Sequence, residues 1–122
     1  MSLDVYLFAT KRVKCSQCGH EELVETEYEL FSANITHNLA KMAREARIYM
    51  LLWRPEEVGI NLAGELIDPL RAALADMKAR PEYYRQFDAP NGWGTYYHFV
   101  PWLEEYLQAC VENPEAVIRV SR

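Results

Sequence analysis

Alternating hydrophobic and polar residues predict two β-strands near the N-terminus of the chain. Over residues 3–10, aliphatic side chains fall on one face of an extended backbone and aromatic side chains on the other. Over residues 22–31, apolar residues alternate with three glutamates, which predicts a half-buried strand with an acidic outer face. The two strands are close enough in sequence to pair as an antiparallel hairpin, with its tip at about residues 14–21.

A hydrophobic stripe with helical spacing follows the second strand. Its members lie four and three residues apart in turn: Ile35, Leu39, Met42, Ala46, Tyr49 and Trp53. Such a stripe is one face of an α-helix, and it predicts a helix over about residues 34–53. Pro55 ends this helix, because the residue before a proline is disfavoured in helical conformation.

The remaining pattern predicts two further helices and a third strand. A leucine-rich stripe predicts a helix over about residues 61–79, kinked at Pro69; alternatively, Asp68 caps a new helix at that point. Thr95 is expected to cap a helix that runs to about residue 112, and alternation over residues 116–121 predicts the last strand.

This order of elements predicts a single α+β domain that spans residues 1–122. We expect a small antiparallel sheet, made of the N-terminal hairpin and the C-terminal strand, with about three helices packed on one face. The terminal strand should pair beside the first and bring the two chain ends together. With 50% hydrophobic and 25% charged residues, 122 residues are enough for a core without disulfide bonds.

Charge and hydropathy exclude several classes of protein. A formal net charge of -5 argues against a nucleic-acid-binding surface, which needs a surplus of Lys and Arg. No apolar run approaches the roughly 20 residues of a membrane span. The N-terminus lacks the positive segment of a secretory signal, and three cysteines do not suggest a disulfide framework. We therefore expect a cytoplasmic protein.

The predicted hairpin tip carries a possible zinc knuckle, Cys15-x-x-Cys18-Gly-His20. Two thiolates three residues apart on a tight turn can ligate one zinc ion, and His20 could be a third ligand. A fourth ligand would have to come from elsewhere in the fold. The alternatives are a dithiol without metal and a redox pair, although no helix follows the motif to lower the thiol pKa.

A second set of polar residues is expected where two predicted helices begin, at residues 34–38 and 91–96. Helix N-termini present unpaired N–H groups and a partial positive charge, so two facing starts would favour a nucleotide or another small anion. An indole between two glycines offers a face for stacking on a ring. The candidate ligand-binding residues are His37, Asn38, Arg54, Asn91, Trp93, Thr95 and His98. Taken singly, most of them also fit ordinary roles as helix caps, turn residues or core anchors.

Several motifs spread over almost the whole chain carry a resemblance to a known family. They are Leu3-Asp-Val-Tyr-Leu7, Ala33-Asn-Ile-Thr-His-Asn-Leu39, Lys41-Met-Ala43, Leu52-Trp-Arg-Pro-Glu-Glu57, Ile67-Asp-Pro-Leu-Arg71 and Asn91-Gly-Trp-Gly-Thr-Tyr96. In these motifs the chain resembles a family of short uncharacterised proteins found in bacteriophage, prophage and bacterial genomes. The resemblance implies a phage-related setting and carries no activity with it.

Three functional hypotheses follow from the sequence. The first is a small binding protein that holds a small anionic ligand or a host protein at the two helix starts. The alternative is a protein-interaction module that presents the zinc knuckle to a partner. The third is a small enzyme that uses His37 and His98 as an acid–base pair. The sequence lacks the familiar nucleophile, phosphate-loop and dinucleotide motifs, and it predicts no oligomeric state.

Overall fold

The structure is a computed structural model that describes the backbone of residues 2–14 and 23–122 and the side chains of residues 2–10 and 26–122. In this part of the chain, a three-stranded antiparallel sheet with strand order β2-β1-β3 packs against helices. The α+β prediction is therefore confirmed. None of the helices in the described ranges is long and apolar enough to cross a lipid bilayer.

The strands are β1 (Ser2–Lys14), β2 (Leu23–Thr36) and β3 (Val117–Ser121). The first strand lies in the middle, paired with both neighbours. The C-terminal strand β3 runs antiparallel beside β1, with Asp4 opposite Ser121. This pairing brings the two ends of the chain together, as predicted. A bulge shifts the register between β1 and β2 at Leu7/Phe8.

Five α-helices and three short 3-10 segments connect the strands in the described part of the chain. The helices are α1 (Ala40–Glu45), α2 (Tyr49–Trp53), α3 (Ile67–Ala79), α4 (Pro81–Arg85) and α5 (Tyr96–Glu112). The 3-10 segments are His37–Leu39, Pro55–Val58 and Ala63–Leu66. The two long helices, α3 and α5, pack on each other and supply most of the helical core.

The core lies between these helices and one face of the sheet. The side chains of Leu3, Val5 and Leu7 are completely buried on that face, as the alternating pattern of β1 predicts. Their cross-strand partners include Ile35 on β2 and Ile118 on β3, which are also buried.

The prediction of one helix over residues 34–53 is wrong in two places. Residues 34–36 belong to β2, where the Nδ2 atom of Asn34 donates to the Oδ1 atom of Asp4 at 2.7 Å and to the Oγ atom of Ser2 at 2.9 Å. Ile35 fits the helical stripe because a single apolar residue does not distinguish a buried strand position from a buried helix position. Farther on, Arg47 has a left-handed backbone that separates α1 from α2.

Two other details of the predicted elements also need correction. Pro69 causes no kink, because α3 begins at Ile67 and places the proline in its first turn, where backbone N–H groups lack helical partners anyway. The residues 26–30 of β2 are all exposed rather than half-buried. They lie on one side of the bulge, whereas the buried side chains of Leu3, Val5 and Leu7 on β1 and of Ile35 on β2 lie on the other side.

The carboxylate of Asp76 on α3 stabilises the position of the short helix α4 through hydrogen bonds. Both carboxylate oxygens of Asp76 accept hydrogen bonds from the Arg80 guanidinium, at 3.0 and 2.6 Å, and the buried Tyr84 donates its hydroxyl to the same carboxylate. The bonds from Arg80, followed by the bond from Tyr84, lower the pKa of Asp76 from 3.8 to about 2. The ionised form of Asp76 is therefore favoured by folding.

This shift predicts a specific loss of stability in acid. A carboxyl group whose pKa is lower in the folded state contributes stability above its unfolded pKa, and the contribution disappears as the pH falls through the folded value. For Asp76 the window lies between 3.8 and about 2. We expect Asp76→Asn to have a lower melting temperature than the wild type at pH 6, and the difference should shrink below pH 4. A difference that stays constant from pH 6 to pH 2 would contradict this role.

Candidate functional site

A polar groove of about 690 Å³ lies where the end of β2 meets the loop before α5. Its walls come from the last residues of β2, the first 3-10 turn, the loop at residues 91–94 and one face of α5. It is lined by Ser2, Asn34, Ile35, Thr36, Asn38, Leu39, Asn91, Gly92, Trp93, Gly94, His98 and Trp102. Carboxamides, indoles and one imidazole dominate this surface.

The loop that carries Trp93 is held in place by hydrogen bonds at several points. The Nδ2 atom of Asn38 donates to the carbonyl oxygen of Trp93 at 2.8 Å, across 55 positions of sequence. The backbone N–H of Trp93 donates to the Oδ1 atom of Asn91 at 3.0 Å, and the N–H of Ala89 donates to the carbonyl oxygen of Gly94 at 3.0 Å. These bonds fix the backbone of Trp93, while its side chain remains 72% exposed.

Gly94 allows the loop to approach β2 this closely. Its φ angle is +109°, which residues with a side chain rarely adopt. A β-carbon at this position would lie 3.0 Å from the Cβ atom of Asn38 and 3.0 Å from the Cγ2 atom of Thr36. A glycine is therefore needed both for the backbone angle and for the contact.

The start of α5 already holds a carboxylate. Helix α5 begins after Thr95, as predicted, but the Thr95 hydroxyl makes no capping bond and instead lies 3.1 Å from the Nδ1 atom of His98. The Oδ1 atom of Asp88 accepts the N–H of Tyr96 at 2.7 Å and thus takes the anion position at this helix start. The other predicted helix start, at residues 34–38, is the end of a strand followed by a three-residue 3-10 turn. Two facing α-helix starts are therefore not present.

The structure brings together four of the seven predicted ligand-binding residues: Asn38, Asn91, Trp93 and His98. Thr95 does not line the groove, but its hydroxyl contacts the ring of His98. His37 does not line the groove. Its ring meets Trp53 edge to face with 6.1 Å between centroids, and its Nε2 atom is buried without a partner among the described residues.

Arg54 also lies outside the groove lining. Its guanidinium forms an ion pair with Glu57 at 2.8 Å. Hydrogen bonds to Glu57 and Tyr49 raise the pKa of Arg54 above its ordinary value. The predicted site therefore loses its fixed positive charge, and it also lacks the second histidine required by the hypothesis of an acid–base pair.

Sequence reasoning missed Ser2, Asn34 and Trp102 as lining residues. Trp102 is four residues after His98, so both lie on one face of α5, and this spacing was available from the sequence. Asn34 and Ser2 join the groove only because β2 continues to Thr36 and pairs its last residues with the start of β1. No local pattern reveals that pairing.

The zinc hypothesis concerns residues that lie outside the described part of the chain. Cys15, Cys18 and His20 all fall between residues 14 and 23. Within the described ranges, no group of three or more His, Cys, Asp or Glu side chains is placed to hold a metal ion. Cys110 is buried in the core, and burial raises the pKa of its thiol to about 12, which disfavours the thiolate that metals require. The knuckle stays a prediction.

Comparisons of this chain with protein-family models, with curated proteins and with solved structures found no match. The resemblance to phage proteins therefore also stays a prediction.

Proposed function

We propose that this protein binds a small molecule with a planar heterocycle, such as a nucleoside, in the groove beside Trp93. The observation that supports this proposal is the Trp93 side chain, 72% exposed on a loop whose backbone is fixed by Asn38 and Asn91. Exposing a large indole gains nothing for folding, since the apolar surface stays in contact with water. A fixed indole beside a groove is, however, a good stacking surface for a ring.

The polar lining complements a heterocycle. Three carboxamides, of Asn34, Asn38 and Asn91, lie in the lining. Within the described chain the Oδ1 atoms of Asn34 and Asn38 and the Nδ2 atom of Asn91 form no hydrogen bond, so two acceptors and one donor remain for a ligand. A groove of about 690 Å³ lies within the usual range for small-molecule sites, about 300–1,000 Å³.

The charge of the groove favours an uncharged ligand over an anionic one. Of the described side chains in the lining, none is a Lys or Arg, and none is an Asp or Glu. The N–H that would attract an anion at the start of α5 is bonded to Asp88. We therefore propose an uncharged ring as the ligand, in place of the small anion that the sequence predicts.

Binding is also favoured over catalysis. Among the described lining residues, His98 alone carries an imidazole, and none carries a carboxylate, a thiol or a lysine amine. General acid–base catalysis commonly pairs two such groups, and the structure supplies one.

The experiment is a titration with adenosine and with uridine by isothermal calorimetry. We expect at least one of them to bind saturably and Trp93→Ala to weaken that binding about tenfold or more, because stacking on one base is worth about 1–3 kcal/mol. Tyr97→Phe is the control, since Tyr97 is an exposed aromatic residue on α5 outside the groove lining. Failure of both nucleosides to bind, or equal binding by Trp93→Ala, would contradict the proposal.

A further inference from the structure

Arg47 occupies a backbone position that normally belongs to glycine. The N–H of Arg47 bonds to the carbonyl of Arg44 at 3.0 Å, and the N–H of Ile48 bonds to the carbonyl of Ala43 at 2.9 Å. These two bonds form a Schellman motif that closes α1. The residue in the left-handed position of this motif is Arg47, with a φ angle of +63°, whereas glycine adopts that conformation without steric cost.

Among the described residues, the side chain of Arg47 forms no direct polar bond that would compensate for this backbone conformation, although its charge, after the larger effect of Arg80, helps to lower the pKa of Asp76. The side chain is exposed, and it forms no hydrogen bond or ion pair with any side chain between residues 2–10 or 26–122. Among the described residues outside glycine, Arg47 alone has a positive φ angle. Backbone strain that folding does not explain tends to mark functional positions.

The Arg47 side chain borders a second groove, of about 640 Å³, between the α1–α2 turn and helices α3 and α4. Its charged and phenolic lining residues are Arg44, Glu45, Arg47, Asp76, Arg80, Tyr83 and Tyr84. None of the residues that line this groove lines the groove beside Trp93. The two sites are therefore distinct.

Two arginines in the groove lining, Arg44 and Arg47, form no ion pair with a carboxylate of the described residues. Asp76 is neutralised by Arg80, with 2.6 Å between their closest atoms. The Oε2 atom of Glu45 accepts the Tyr83 hydroxyl at 2.8 Å. Within the described chain, neither Arg44 nor Arg47 forms an ion pair with an acidic side chain, although the protein as a whole carries a net charge of -5.

Aromatic rings hold two of the arginines in place. The guanidinium of Arg44 lies 4.1 Å from the centre of the Tyr49 ring, and that of Arg80 lies 4.5 Å from the centre of the Tyr83 ring. Stacking of this kind leaves the edge of a guanidinium free for hydrogen bonds. The edge of Arg80 is already bonded to Asp76, so Arg44 supplies the pre-positioned donors, and the arginines outnumber the carboxylates in the lining.

We propose that this groove binds a phosphate group, with Arg44 and Arg47 as its ligands. Guanidinium groups match the oxygens of a phosphate in geometry. The lining holds three arginines against the two carboxylates of Glu45 and Asp76, so its net charge is positive and favours an anion. A phosphate ligand would also explain why an arginine occupies this left-handed position, since Arg47 lines the groove.

The test is a titration of ¹⁵N-labelled protein with inorganic phosphate and with phenyl phosphate, followed by NMR through the arginine Nε–H signals at constant ionic strength. Saturable shifts of Arg44 and Arg47 are expected with both probes. Tighter binding of phenyl phosphate would indicate an organic phosphate ester as the natural ligand, and equal binding would indicate the free anion. Equal shifts with acetate would overturn the proposal, since they would show non-specific charge screening.

Arg47→Gly separates function from stability at this position. We expect the glycine variant to bind phosphate at least tenfold more weakly and to melt about 3 °C higher, because the backbone strain is relieved. Arg71→Ala is the matched control, since it removes an exposed arginine on α3 outside the groove and should leave phosphate affinity unchanged. Unchanged affinity in Arg47→Gly, or a lower melting temperature, would overturn the proposal.

Discussion

Replacing Gly94 with alanine is expected to destabilise the protein by about 2–4 kcal/mol. The added β-carbon meets Asn38 and Thr36 at 3.0 Å, and the backbone angle of +109° is unfavourable for any residue with a side chain. The atoms it meets are a β-carbon and a methyl group close to the backbone, so they cannot move aside easily. The loop must move away from β2, which breaks the bond from Asn38 to the Trp93 carbonyl.

The neighbouring glycine provides the control for this prediction. Gly92 also has a positive φ angle, +77°, but a β-carbon there meets nothing within 4 Å. Gly92→Ala should therefore lose only the conformational term, about 1 kcal/mol. Urea unfolding of both variants measures the difference. Equal losses would show that Gly94 is required for its backbone angle alone and not for the close approach of the loop to β2.

Truncating Trp53 is expected to cost the most of any single change considered, about 3–5 kcal/mol. The Trp53 side chain is 1% exposed and packs against the rings of His37 and Tyr49. Trp53→Ala leaves a large cavity between α2 and the first 3-10 turn. The measurement is again the free energy of unfolding in urea.

Trp93→Ala removes the same side chain from the surface of the protein. Because Trp93 is 72% exposed, we expect its stability effect to stay within about 0.5 kcal/mol. The pair therefore separates a structural tryptophan from a binding one: Trp53→Ala should lose stability, and Trp93→Ala should lose ligand affinity. A loss of several kcal/mol in Trp93→Ala would mean that this residue anchors the fold.

The sequence predicts the fold well where one periodicity dominates over a long stretch. Strand β1, helix α5 and strand β3 lie close to their predicted positions, and β3 pairs beside β1 as expected. The prediction fails between residues 34 and 53. There, Ile35 and Leu39 satisfy a helical stripe, and both side chains are buried, although Ile35 belongs to a strand and Leu39 to a 3-10 turn. Pairing with β1, a long-range interaction, decides between the two.

Part of the candidate site is predictable from the sequence, as Asn38, Trp93 and Arg54 show. Asn38 and Trp93 were expected to meet, and a hydrogen bond joins them. The sequence predicts Arg54 as a fixed positive charge in the site, at the end of one continuous helix over residues 34–53. The left-handed residue Arg47 breaks that helix, and Arg54 instead pairs with Glu57. A backbone reversal at an arginine has no signal in the sequence, since glycine is the usual residue there.

The central claim, that the groove beside Trp93 is a ligand-binding site, is tested most directly by NMR on ¹⁵N-labelled protein titrated with adenosine and with uridine. The side-chain amide signals of Asn34, Asn38 and Asn91 and the indole N–H of Trp93 report from four positions around the groove. We predict that these signals shift together, with one dissociation constant, while amides on α3 and α4 stay unchanged. Shifts confined to other surfaces, or no shift of the groove signals with either nucleoside, would contradict the claim.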